Sequence, residues 1–230
     1  MSIKLLNGLA LCLLAAPTSI LASECDNWNS DAFWLNANAE QVDNCHSNQN
    51  LMSGDINAWT TPLQLAAGSS NNPAALEELI RYGVNVDAVD MDGNTALHIA
   101  ARFNTSEQVI AALIEAGAQV DAKNSDGQTA LLVAAWGNPN PAIIATLASA
   151  GADMNVTDAN GRSALHVATA FFTYPEVVVA LLVAGTNAGL TDKFGNTAFE
   201  SIENKSRAKE TAAYTMLQIE NSKNTNKPAG

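Results

Sequence analysis

An all-α solenoid, built of stacked helix-turn-helix units with short β-hairpin loops, is the fold class this sequence predicts. Two independent registers point to it. The string Thr61-Pro62-Leu63-Gln64-Leu65-Ala66-Ala67 returns as Thr95-Ala96-Leu97-His98-Ile99-Ala100-Ala101, as Thr129-Ala130-Leu131-Leu132-Val133-Ala134-Ala135, as Ser163-Ala164-Leu165-His166-Val167-Ala168-Thr169 and, weakened, from Thr197 to Ile202, each time 34 residues on. Gly83, Gly117, Gly151 and Gly185 keep the same step, as do Leu79, Leu113, Leu147 and Leu181. A fixed period of this length marks one supersecondary unit repeated, each copy burying the apolar face of the next.

The 230-residue chain has the material for such a stack: 47% of it is hydrophobic and 15% charged, so it can fill a core and does not read as disordered. Its net charge of −12 repels phosphate backbones and anionic headgroups, which argues against nucleic-acid binding. Residues 1–22 read as a secretory signal, with Lys4 near the start, an apolar run from Leu9 to Ala16, and cleavage after Ala22, with Ser23 as the second choice. That run is too short to span about 30 Å of hydrocarbon, so no membrane span is expected once it is removed. The exported product, periplasmic or secreted, would carry −13, because cleavage removes Lys4 and no acid.

Residues 23–55 read as a degenerate N-terminal capping unit. Cys25 precedes its first helix and Cys45 ends its second, and those two points lie at the same end of a helical hairpin. A Cys25–Cys45 disulfide is therefore expected, closing a loop of about 20 residues and contributing roughly 3 kcal/mol; two unpaired thiols are the other reading. Four full units follow at 56–89, 90–123, 124–157 and 158–191. A C-terminal capping unit spans 192–220, and the polar residues 221–230 read as a disordered tail.

Within a unit, the inner helix starts at the Thr or Ser and presents small Ala66, Ala100, Ala134 and Ala168, which let neighbouring helices approach. The outer helix is announced by Asn72-Pro73, Ser106-Glu107, Asn140-Pro141 and Tyr174-Pro175; three of the four supply a capping side chain, and Pro suits the first helical position. It carries apolar residues at helical spacing, such as Ile110, Leu113 and Ile114, and ends at the recurring Gly. Runs such as Val120-Asp121-Ala122 through Asp126-Gly127 then turn the chain into the next unit.

These units resemble ankyrin repeats of an exported bacterial type, whose inner helix opens on Thr-Pro-Leu-His-x-Ala-Ala. The resemblance covers roughly residues 56–203 and departs in length, 34 residues against about 33, with the extra residue between the two helices. It implies a non-enzymatic protein-protein interaction module, monomeric and without cofactors, that binds a protein partner through the concave face formed by hairpin tips and inner helices. Carried over residue by residue, that face contains Met91, Asn94, Gln128, Arg162, Lys193 and Phe194 at the tips, and Arg102, Phe103, Trp136, Phe171 and Phe172 at the inner-helix ends. A large aromatic side chain thus stands in three successive units where the framework does not demand one. Partner contact and packing against neighbouring loops are both open for this row.

Ser163 and His166, like Thr95 and His98, are three residues apart on a helix and bring hydroxyl and imidazole together. A hydrolase or small-ligand site would need an orienting carboxylate, an oxyanion hole and a pocket as well. The resemblance implies instead that each pair ties adjacent turns of the stack. His46, His98 and His166 lack zinc-ligand spacing, and Asp87 to Gly93 lacks the ligand pattern of a calcium loop, so no metal is expected. A purely structural accessory stack is the remaining alternative.

Overall fold

The computed structural model describes residues 61–171, 174–203 and 211–225. The signal at 1–22, the capping unit at 23–55, the Cys25–Cys45 bridge, His46 and Phe172 lie outside the described residues. Among the described residues ten α-helices follow in order: α1 Pro62–Ser69, α2 Pro73–Arg81, α3 Ala96–Phe103, α4 Glu107–Glu115, α5 Ala130–Gly137, α6 Pro141–Ser149, α7 Ala164–Phe171, α8 Pro175–Val183, α9 Ala198–Glu203 and α10 Ala212–Thr225. Odd-numbered helices form one layer and even-numbered helices the other. Each helix packs substantially on its hairpin mate and on the corresponding helix one unit away, as a one-dimensional stack requires.

The core runs through the stack between these layers. Leu63, Leu97, Leu131 and Leu165 from the inner helices meet Leu79, Leu113, Leu147 and Leu181 from the outer ones, all buried. Burying each such side chain stabilises by about 1.5–3 kcal/mol, so the repeated leucines account for much of the cohesion between units. Ala66, Ala100 and Ala134 are fully buried and Ala168 nearly so. Asn72 and Asn140 cap the outer helices by accepting the N–H two residues on. Ser106 does not; its hydroxyl donates instead to the Gln108 side chain. Helices α2, α4, α6 and α8 end on Gly83, Gly117, Gly151 and Gly185 at φ +82° to +92°, a region that penalises any Cβ.

The connecting loops are tight turns. Among the described residues their β character is limited to two single antiparallel bridges, Thr157 with Ser163 and Thr191 with Thr197. Each turn is organised by Asp90, Asn124, Asp158 or Asp192, whose side chain accepts the N–H groups two and four residues on. Successive turns lie close: Ser125 N–H donates to the Asp92 carbonyl, and a Cβ on Gly93 would come within 2.9 Å of that nitrogen.

At the C-terminus the sequence closes the last helix at Glu220, whereas α10 continues to Thr225. Five residues assigned to the tail are therefore helical. No Gly or Pro interrupts the chain before Pro228, and Ser222 and Lys223 bond back to Gln218 and Glu220 across the last turns.

Behind the inner helices runs a polar ladder that the repeat motif does not announce. The buried Asn104 amide donates to the carbonyls of Ala67 and Ser70 in the preceding unit, at 2.9 and 2.7 Å, and its oxygen accepts the Ser106 N–H. Asn138 repeats this one unit on, reaching Ala101 and Asn104 and accepting from Asn140 N–H. Carbonyls at a buried helix end otherwise have no partner. Asn138→Ala is expected to lower the unfolding free energy in urea by about 2–3 kcal/mol, two buried bonds being lost at once. A loss below about 0.5 kcal/mol would mean the ladder is incidental.

Candidate partner-binding surface

The third residue of each inner helix decides how that helix begins and how its unit meets the next. Gln64 accepts the Thr61 N–H at 2.7 Å and donates to the Asn94 carbonyl in the following hairpin at 2.6 Å. His98 does the same with a ring: Nδ1 faces the N–H and hydroxyl of Thr95, and Nε2 meets the Gln128 carbonyl at 2.9 Å. His166 Nδ1 faces Ser163 N–H and Oγ, with Nε2 3.0 Å from the Asn196 carbonyl. An amide N–H can only donate and a carbonyl can only accept, so both imidazoles carry their proton on Nε2. Glu200 accepts from Thr197 in the same way.

The Ser163–His166 pair is thus enclosed. Ser163 is fully buried, His166 is 3% exposed, and the far ring nitrogen faces a backbone carbonyl where a hydrolase would place a carboxylate. Leu132 breaks the pattern in the third unit, and the buried Thr129 hydroxyl is left without a hydrogen-bond partner. Among the described residues no three His, Cys, Asp or Glu side chains come together in a way that could hold a metal ion, and no helix is long and apolar enough to cross a membrane.

The structure divides the sequence-selected surface residues. Met91 is 60% exposed and Phe194 84% exposed at hairpin tips, and Lys193 is exposed beside Phe194. Asn94 turns its side chain to Asp90 and Asn124, while the Gln128 carbonyl is the acceptor for His98. The Arg162 guanidinium binds Asp158 at 2.7–2.8 Å. Burial opposes the charge on Asp158, but the bonds from Arg162 and Asn160 outweigh it and hold the carboxyl below its usual range. Asp192 is lowered as well, led by the Asn196 N–H. These groups shape their own turns.

At the C-terminal ends of the inner helices, the Arg102 guanidinium lies over two rings, 4.3 Å from the centre of Trp136 and 5.0 Å from that of Phe103. Trp136 remains 41% and Phe103 60% exposed. The aromatic residues do not form a single column. Trp136 corresponds by period to Gly68, Arg102 and Ala170, whereas Phe103 and Phe171 share the next position with Ser69 and Gly137. The result is a compact patch across the second and third units, with a cation between two rings. Its members were legible in the sequence; Arg102 reaches across the unit boundary onto Trp136 because the two hold the same repeat position in adjacent units, while Phe103 stands one residue on.

Two outcomes follow from the inner-helix starts. Thr129→Val removes an unpaired buried hydroxyl and is expected to be neutral or to stabilise by up to about 1 kcal/mol, whereas Ser163→Ala removes a paired one and costs about 1 kcal/mol; equal effects in denaturant titrations would contradict the pairing. His98 is held below its ordinary value of 6.5, chiefly because burial disfavours the imidazolium. At this site the unfolded chain binds more protons than the native one, so the contribution of His98 to stability is level above pH ~7 and falls as pH drops through the unfolded value. His98→Gln, copying Gln64, should flatten the change in urea midpoint between about pH 7 and pH 5, and an unaltered slope would assign it to other groups.

A family model for ankyrin repeats matches the chain in three overlapping copies, at residues 31–124, 63–158 and 106–192. No curated protein matches it. Such repeats are protein-protein interaction modules, and the family is generally non-enzymatic. With more than half of the chain matched, and with helix pairs stacked at a 34-residue period and Thr/Ser-x-x-His starts in the second and fourth units, this protein belongs to the ankyrin-repeat family.

Proposed function

We propose that this chain is a non-enzymatic binding module, exported to the bacterial periplasm or secreted, which works as a monomer and grips a protein partner along its concave face. The observation that carries this reading is the Arg102–Phe103–Trp136 patch. Arg and aromatic side chains are the types enriched where binding energy concentrates, and here they are pre-stacked and exposed on inner-helix positions. Met91, Lys193 and Phe194 extend the surface along the hairpin tips. The enclosure of Ser163 and His166 supports the non-enzymatic part of the reading, since no substrate atom could approach the hydroxyl. The signal-like residues 1–22 support export.

The test is crosslinking and affinity capture from the cell envelope, followed by titration of the captured protein against variants. Trp136→Ala is expected to weaken that complex by at least about tenfold while costing under about 1 kcal/mol of stability. Unchanged affinity with a clear loss of stability would assign the aromatic patch to packing.

A further inference from the structure

On the opposite layer, helices α6 and α8 frame a groove of about 530 Å³ whose walls are almost wholly apolar. Ala145 and Ala148 line it from α6, Val179 and Val183 from α8, and among the described residues Glu176 is the one charged side chain along it. Val183 is 75% exposed.

The fold does not require this character. The positions equivalent to Val183 in the three preceding units are Ser149, Glu115 and Arg81, and those equivalent to Val179 are Ala145, Ala111 and Glu77. Glu77 and Arg81 on α2 and Glu115 on α4 thus carry charge into solvent, and only in the third and fourth units are both columns uncharged. An exposed apolar surface that the framework leaves free to be polar marks a contact site.

We propose that this groove is a second docking site, which receives an amphipathic helix bearing a basic residue from a protein partner. Two neighbouring helices leave between them a furrow into which the side-chain ridge of a third can settle. Helices of nine residues are about 13 Å long, enough for two or three turns of an occupant with apolar anchors at helical spacing. Glu176, exposed in the first turn of α8, stands ready to meet a Lys or Arg on that helix. The net charge of −12 steers a cationic segment inward. A second copy is disfavoured by the same charge, since pairing two such faces would bring like-charged surfaces and their Glu176 side chains together.

The test is selection from a displayed library of helix-favouring peptides with randomised faces on the immobilised full chain, followed by titration of the enriched peptides. Enriched peptides should combine an apolar stripe with a Lys or Arg. They should lose at least about tenfold in affinity for Val183→Glu, and about as much for Glu176→Lys, while binding Trp136→Ala as they bind the unaltered chain. Peptides lacking the stripe or the basic residue, or indifferent to Val183→Glu, would overturn the assignment. So would a dimer that Val183→Glu dissolves, sedimentation with phosphatidylcholine vesicles that Val183→Glu abolishes, or a photo-crosslink from position 183 to residues 1–60 of the same chain. Because Trp136→Ala reports on the concave face and Val183→Glu on this one, failure of either site is read separately.

Discussion

Each helix pair in this protein is left with polar backbone groups and an apolar face that only its neighbour can satisfy, and the stack exists because consecutive units meet both needs together. The leucine columns supply the unspecific part, which depends on area and tolerates small shifts. The directional part comes from two polar ladders, one at each end of the inner helices. Gln64, His98 and His166 reach forward to the next hairpin, while Asn104 and Asn138 reach back to the preceding helix end. Hydrogen bonds that are costly to leave unmade fix the register at which apolar surfaces meet.

The third unit is the exception in the forward ladder. With Leu132 where its neighbours have an imidazole, the joint to the fourth unit relies more on packing, and Thr129 is buried without compensation. Stability in a linear array is a sum of unit and interface terms, so such a joint is a natural place for the stack to part. The two surface features with the character of contact sites, the Arg102–Trp136 patch and the α6–α8 groove, both involve this unit, from opposite layers. Because framework demands are met by a few recurring positions, the remaining ones can vary from unit to unit, and both proposed contact sites draw on that variation.

Much of this was legible in the sequence because a repeat converts local identity into tertiary position. The 34-residue step placed the inner helices, the glycine stops and the leucine core, and it put Thr/Ser and His together in the second and fourth units. The paired Asn104 and Asn138 were visible at the same spacing, yet a polar residue after a helix reads as an ordinary loop residue until burial is known. Gln64 stood in the histidine column, but its equivalence to an imidazole depends on geometry at both ends of the side chain. Ser106 carried a capping residue's identity and spent its hydroxyl on Gln108 instead.

Sequence alone determined the architecture: one period, two helices per unit, and a core made by stacking, because periodic apolar spacing has few other ways to be buried. Tertiary structure decided which exposed positions belong together. A guanidinium reaching over Trp136 and a largely apolar groove shared by α6 and α8 both depend on neighbouring units sitting side by side. That adjacency joins residues about one period apart in the chain, and no local pattern of residue types encodes which of them meet.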